Sequence, residues 1–310
     1  MLESVGCEVY TIKRDKTTFI YTVKNYFHYF IKTNSVTQFF KFNKLIHWYK
    51  KVCMNFSDLK NIESEFDYFV AGSDQIWNPH YSFTGSDIDF LTFTNTEKQI
   101  AYAASFGVSS IPDEKKKNYK DWLSSFGNIS VRETDGAKII ADMTGRKVPV
   151  VLDPVLLLSA EKWRKLAVKP RNMTDKPYVL VYSVENMSEN LRRAVEYEGE
   201  NVEIVYVKDD KKRNWAVGPR EFIYLIDHAE KLLTDSFHGT AFSVILHTPF
   251  ELFDRDGINM NSRTETLLAN LGLETNKILD VNCFSESDNK LRLLKEESLN
   301  YLYEKLSQDR

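Results

Sequence analysis

The sequence predicts an α/β fold built from two Rossmann-like, doubly wound domains. Three observations carry this. Short β-branched and aromatic runs alternate with helical patterns almost from end to end. Several of those runs are apolar on both faces, as parallel strands covered by helices on either side must be. A charged stretch with two prolines, KWRKLAVKPRNMTDKP at 162–177, divides the series and reads as a linker. With 310 residues, 43% of them hydrophobic, each half has enough apolar side chains for its own core.

In chain order, the first half offers strands at CEVYTI (7–12), DYFVAGS (67–73), QIAYAAS (99–105), NISVR (128–132) and PVVLD (149–153). The second offers YVLVYSV (178–184), VEIVYV (202–207), KLLTDS (231–236), PFELF (249–253) and NKILDV (276–281). Helical patterns lie between them, including 113–126, 134–145, 188–199, 219–229, 239–247 and 262–272. Most open on Ser, Thr, Asp or Pro, and some reach Gly at the end, as capping favours. The expected boundaries are 1–165 and 175–285, followed by an amphipathic helix over 286–310 that packs back across both halves.

Two features depart from a regular Rossmann pattern. MLESVG reads as the last turn of a helix capped by Gly6 and followed at once by a strand, so the first domain is expected to lack its first strand and loop, with weak or no activity as the consequence; the plainer alternative is a frayed terminus on a smaller sheet. Over 13–54, nine Lys/Arg face the single acid Asp15 and are interleaved with aromatics. That mixture suits either an anionic membrane surface or an irregular helical insertion, over 13–60, whose aromatics are core and whose lysines are solvated.

Composition excludes some classes. A formal charge of -3 argues against a global field for nucleic acid. Cys7, Cys53 and Cys283 are too scattered for a metal site or disulfide framework, which suits a reducing cytoplasm. No apolar run approaches the ~20 residues of a membrane span. There is no Walker loop, dinucleotide fingerprint, nucleophile elbow or zinc-protease motif, and no metal or cofactor is required.

Four segments carry candidate chemistry. In KLLTDSFHGTAFSVILHTPF (231–250), a strand ends near Ser236 and a helix is expected to open at Gly239, placing His238 at the carboxyl edge of a parallel sheet, where such sheets bind ligands. The helix start offers amides and a positive dipole end to an anion, Gly239 a close approach, and His238 a proton near neutral pH. The plainer alternative is an N-cap at Ser236 and a packed His238. In DYFVAGSDQIWNP (67–79), Ser73 and Asp74 end another strand; Asp74 suits sugar hydroxyls and Trp77 suits either a sugar face or the core. Arg132, after NISV, suits a carboxylate or phosphate, or an ion pair with Glu133 or Asp153. Arg263 lies near a helix N-terminus, where a cation opposes the dipole unless an anion compensates.

Taken together and in this order, GSDQIWNP, YAASFG, ISVRE, VLDPVLLL, GPREFIYLIDHA, SFHGTAFSVILHTPF and NSRTETLLANLGL resemble the polysaccharide pyruvyl transferase family over roughly residues 1–275. The resemblance implies a glycosyltransferase-B-like arrangement with the active site between the domains. It implies transfer of a pyruvyl group from phosphoenolpyruvate to a sugar or lipid-linked glycan as a cyclic ketal, with release of phosphate. The family's histidine matches His238 and a donor-site arginine matches Arg132, while Ser73 and Asp74 carry over only as cleft residues. The alternatives are a nucleotide-sugar glycosyltransferase of similar architecture and an inactive member that only binds glycan. The expected location is the cytoplasm, with peripheral contact at the inner face of a membrane left open.

Overall fold

Where the alternating runs are apolar on both faces, they pair as parallel strands. The computed structural model describes residues 2–13, 35–53, 55–173, 175–200, 202–208, 216–255, 262–273, 279 and 281–307, and in these the chain forms three parallel sheets. β1 (Thr11–Lys13) pairs with β2 (Trp48–Val52), and α1 (Ser35–Asn43) precedes β2. After α2 (Phe56–Asn61), strands β3 (Phe69–Ala71), β4 (Gln99–Ala104) and β5 (Asn128–Val131) pair in that order. α3 (Asp113–Ser125) joins β4 to β5, and α4 (Thr134–Thr144) follows β5. Every residue of β4 is buried, which explains its unbroken apolar and small-residue run.

The expected strand at 149–153 is reduced to a bridge between Val131 and Val150. Asp153 ends it: its carboxylate accepts from the Val155 amide and caps α5 (Pro154–Leu157), with the proline at the first helical turn. The second half continues through α6 (Ala160–Leu166), β6 (Tyr178–Tyr182), α7 (Glu189–Gly199), β7 (Glu203–Tyr206), α8 (Pro219–Asp227), β8 (Lys231–Thr234), α9 (Phe237–Leu246) and β9 (Phe250–Leu252). Its sheet has the order β7-β6-β8-β9, so the chain reverses direction across the sheet at the β6/β8 pair. α10 (Ser262–Leu271) and the long α11 (Val281–Leu306) complete the described elements. The run at 276–281 is not the expected strand: Leu279 makes one antiparallel bridge to Phe250, Val281 already opens α11, and 276–278 lie outside the described residues.

Two large apolar clusters form, one around β3–β5 with Leu123, Val131 and Ile140, the other around β6, β8 and α9 with Leu180, Leu232 and Leu268. Leu152 and Leu156 already belong to the second cluster and Trp163 packs against it, so packing changes sides ahead of residue 165 and the expected linker begins inside α6. α11 reaches both regions. Phe284 and Leu291 lie in the second cluster, whereas Leu302 packs with Tyr102, Ala103 and Val151, and Ser298 Oγ accepts from the Leu152 amide at 3.0 Å.

At the start, Leu2–Val5 form a single 3-10 turn ending at Gly6 (φ 87), but the strand begins at Thr11 rather than Cys7 and its partner is β2. The segment 13–60 is therefore not wholly helical; residues 14–34 lie outside the described residues. Its aromatics divide: Tyr49 is core, whereas Phe39 is half exposed. α1 packs on α8, the Ser35 hydroxyl accepting from the Val217 amide at 3.3 Å. A cleft of about 1320 Å³ separates residues 7–12 from 65–72; Tyr10, Phe66 and Ala71 line it, and neither Arg132, His238 nor Arg263 does. Among the described residues, no helix is long and apolar enough to cross a membrane.

Candidate active site

Strands β3, β4 and β5 end at one edge of their sheet, and the polar residues that follow them meet there. Gly72 (φ 109) passes so close to β4 that a Cβ would lie 2.4 Å from the Tyr102 carbonyl, so only glycine fits the turn. The turn presents Asp74, whose carbonyl accepts from the Ser105 amide at 3.0 Å. Beyond β5 stands Arg132, whose side chain has no exposed surface. Its Nη1 donates to Asp153 Oδ2 at 2.7 Å and its Nη2 to Asp74 Oδ1 at 2.7 Å. Glu133 Oε2 lies 3.9 Å from its Nε, which has no hydrogen-bond partner. The guanidinium carbon rests 4.5 Å above the Phe237 ring. A charge this deep is tolerated only when paired, and Asp153, equally buried, does most of that. Asp74 is the open end, with 64% of its side chain exposed. Burial opposes its ionisation, but Arg132 and His238 prevail and hold its carboxyl below the usual range.

From the other sheet, β8 delivers the start of α9. Ser236 is the N-cap, its Oγ accepting from the Gly239 amide at 3.2 Å, and the Thr240 amide donates to the Ser236 carbonyl at 3.0 Å. Of the first helical amides, those of Phe237 and His238 therefore have no acceptor among the described residues. The helix opens at Phe237, two residues earlier than expected. At Gly239 the amide is taken by the cap, and a Cβ would meet Thr234 Oγ1 at 2.8 Å. It is a close-packing glycine between α9 and β8. His238 is half-buried, edge-on to Phe237. Burial pushes its imidazolium down; Asp153 and Asp74 pull it up and Arg132 and Arg263 push it down again, leaving the pKa below 6.5.

Arg263, on α10, is only 7% exposed, and its Nε has no hydrogen-bond partner. Burial and the repulsion of Arg132 lower its pKa to about 10, so it stays charged at neutral pH. Glu133 lies nearby, its Oε1 accepting from the Phe106 amide at 2.9 Å; burial raises its carboxyl above the usual range despite Arg132. α10 packs on α4, with the hydroxyls of Thr134 and Thr266 3.1 Å apart, which holds Arg263 on the Arg132 side. At the β6/β8 reversal, Asp235 accepts from Ser183 Oγ at 2.7 Å and the Val184 amide at 2.8 Å, bracing the strand end that leads into Ser236.

Of the residues singled out in the sequence, His238, Arg132, Asp74 and Arg263 form one electrostatic cluster. Ser236 caps α9, and Ser73 sits half-buried in the turn beside Asp74. Trp77 is core: fully buried, stacked on Phe90 with centroids 4.8 Å apart, it cannot lie on a sugar. Phe237 was not anticipated, although its place beside His238 was in plain view; nothing local says that its ring will cover an arginine from another sheet. The cluster pairs two cations and two amides without an acceptor among the described residues with a neutral-leaning imidazole and an exposed carboxylate, which suits an anionic substrate and proton transfer.

A family model described as polysaccharide pyruvyl transferase matches residues 11–257. No curated protein matches the chain. A solved structure described as the glycotransferase of kitacinnamycin is 12% identical, with a TM-score of 0.27; the likeness spans 43% of this chain and 41% of that one.

Proposed function

The chain belongs to the polysaccharide pyruvyl transferase family, and from that premise we propose that it moves a pyruvyl group from phosphoenolpyruvate to a sugar of a glycan, forming a ketal and releasing phosphate. The two apolar clusters are read as two domains, with the Arg132–His238 cluster between them. One observation carries the donor assignment: Arg263 is buried with its Nε unpartnered and acts electrostatically on His238, and the Phe237 and His238 amides at the helix start have no acceptor among the described residues. A buried cation without a partner is costly, and a ligand with both a carboxylate and a phosphate removes that cost.

In this reading Arg263 and the Phe237 and His238 amides bind the donor's anionic groups. Arg132 binds none of them directly; its two Nη atoms are committed to Asp153 and Asp74, so it fixes the crevice and holds Asp74 ionised. Protonation of the methylene carbon of the enol, coupled through His238 to loss of the first hydroxyl's proton, makes the adjacent carbon electrophilic. A first sugar hydroxyl adds to that carbon and loses its proton. A second hydroxyl then displaces phosphate by cleavage of the carbon–oxygen bond, and its proton is lost in turn. The proton used and the two released account for the ketal and free phosphate. His238, neutral at pH 7, accepts a hydroxyl proton and as imidazolium supplies one to the enol carbon; Asp74 orients the acceptor hydroxyls.

The test is phosphate release from phosphoenolpyruvate against a panel of sugar acceptors. His238→Ala is expected to lower turnover at least 100-fold with the fold intact by circular dichroism, and Arg263→Ala to raise the donor KM. Undiminished turnover in His238→Ala, or tight UDP or GDP binding without any response to phosphoenolpyruvate, would replace this reading.

A further inference from the structure

The chain beyond Asp74 builds a second feature on the same sheet edge. Residues 78–85 are pinned at both ends. Asn78 Oδ1 accepts from the His80 amide at 2.8 Å, the Asn78 carbonyl accepts from Thr84 Oγ1 at 2.9 Å, and the Gly85 amide returns to the Ile76 carbonyl at 2.9 Å. Gly85 (φ 69) has no room for a side chain, since a Cβ would meet the Tyr119 hydroxyl. Lys115, in the first turn of α3, donates to the Pro79 carbonyl. Because α3 follows β4, its first turn lies at the carboxyl edge of that sheet, the edge that presents Asp74 and Arg132.

What this fixed loop displays is apolar. Tyr81 and Phe83 stack face to face, centroids 5.4 Å apart and planes within 5°, with 37% and 76% of their surface exposed. A Phe that open forgoes burial, and a pinned loop that holds two parallel, stacked rings out in water is arranged for a flat apolar partner. Exposed His80, the chain neighbour of Tyr81, and the Tyr81 hydroxyl are polar groups of the same loop.

We propose that the Tyr81–Phe83 pair is an acceptor subsite on which a pyranose ring of the glycan stacks. The C–H face of the sugar would lie on an aromatic ring and its hydroxyls would meet the Tyr81 hydroxyl and His80. This rests on the reading above that the acceptor is a glycan. It accounts for the placement of the pair at the edge that carries Asp74, and for the pins that keep its rings ordered without burying them.

Saturation-transfer NMR of the full chain with galactose, mannose and glucose oligosaccharides tests the subsite without donor. Sugar C–H signals are expected with the wild type and are expected to vanish in Tyr81→Ala/Phe83→Ala. In phosphate release, the double variant should raise the acceptor KM about tenfold or more while the phosphoenolpyruvate KM moves less than about twofold, and Phe83→Trp should keep wild-type values. Equal sugar signals in wild type and double variant, or loss of binding to phosphatidylglycerol vesicles in place of sugar, would overturn the subsite. If the wild type releases no phosphate with any acceptor, the transferase reading fails, and the sugar signals still decide the platform.

Discussion

Arg132, just beyond β5, and Arg263, on α10, repel one another and carry opposite balances. Arg132 has buried Asp153, exposed Asp74 and nearby Glu133, while Arg263 has no ion-pair partner among the described residues. That asymmetry underlies the scaffold and donor-binding roles proposed above, and both cations act on the imidazole. The sign is fixed by charge: burial and two cations disfavour the protonated ring more than Asp153 and Asp74 favour it, so His238 is neutral at pH 7 and protonates below pH 6.5. The unfolded chain binds that proton more tightly, so this residue's stabilising contribution is present above pH 6.5 and declines as the pH falls through and below it. NMR titration of the His238 ring is expected to give a midpoint below 6.5 in the wild type, and a higher one in Arg263→Met, where one repelling cation is gone. A midpoint that stayed put in Arg263→Met would separate the two side chains.

At the scale of elements, the β8–α9 junction is the most constrained piece of the site. Thr234 Oγ1 donates to the Tyr182 carbonyl at 2.7 Å and accepts from the Ser236 amide at 3.1 Å, so it cannot swing away from Gly239. Gly239→Ala would press a methyl against it at 2.8 Å. The expected cost is about 1–3 kcal/mol, read from the midpoint of urea unfolding, with the main damage to the angle at which α9 leaves the sheet. Much of this junction was legible from KLLTDSFHGTAF alone, because a cap, a small residue and an apolar helix are local signals. Its start was misplaced by two residues because Phe237 looks like core in any register. The strand expected at 149–153 is cut to a bridge for a related reason: PVV has the pattern of a strand, but Asp153–Pro154 opens a helix.

For the whole molecule, α11 decides whether the two apolar clusters behave as one unit. It contributes Phe284 and Leu291 to one and sets Leu302, fully buried, against β4 of the other, while Ser298 holds the Leu152 amide. Leu302→Ala is expected to cost about 2–5 kcal/mol in thermal or urea unfolding. Leu293→Ala, on the exposed face of the same helix, should stay within about 0.5 kcal/mol. Equal losses in the two variants would mean that α11 does not seat against β4. The amphipathic period of 286–310 is enough to predict a helix with one buried face, but not which surface receives it.

By itself the sequence determined the alternation of strands and helices, the caps, and the position of His238, Arg132 and Asp74 at strand ends, since each depends on residues within a few positions of one another. The motif order also carried the family. Tertiary structure alone decided the partners. Arg132 takes Asp153 and Asp74 from 21 and 58 positions away, and Phe237, at the start of α9, covers it. It alone buried Trp77 and left Tyr81 and Phe83 in water, though all three aromatics lie within seven residues. The physical reason is that local propensity fixes where a strand ends, whereas the partner of a charge and the side of a ring are set by which sheet edges and helices pack against one another.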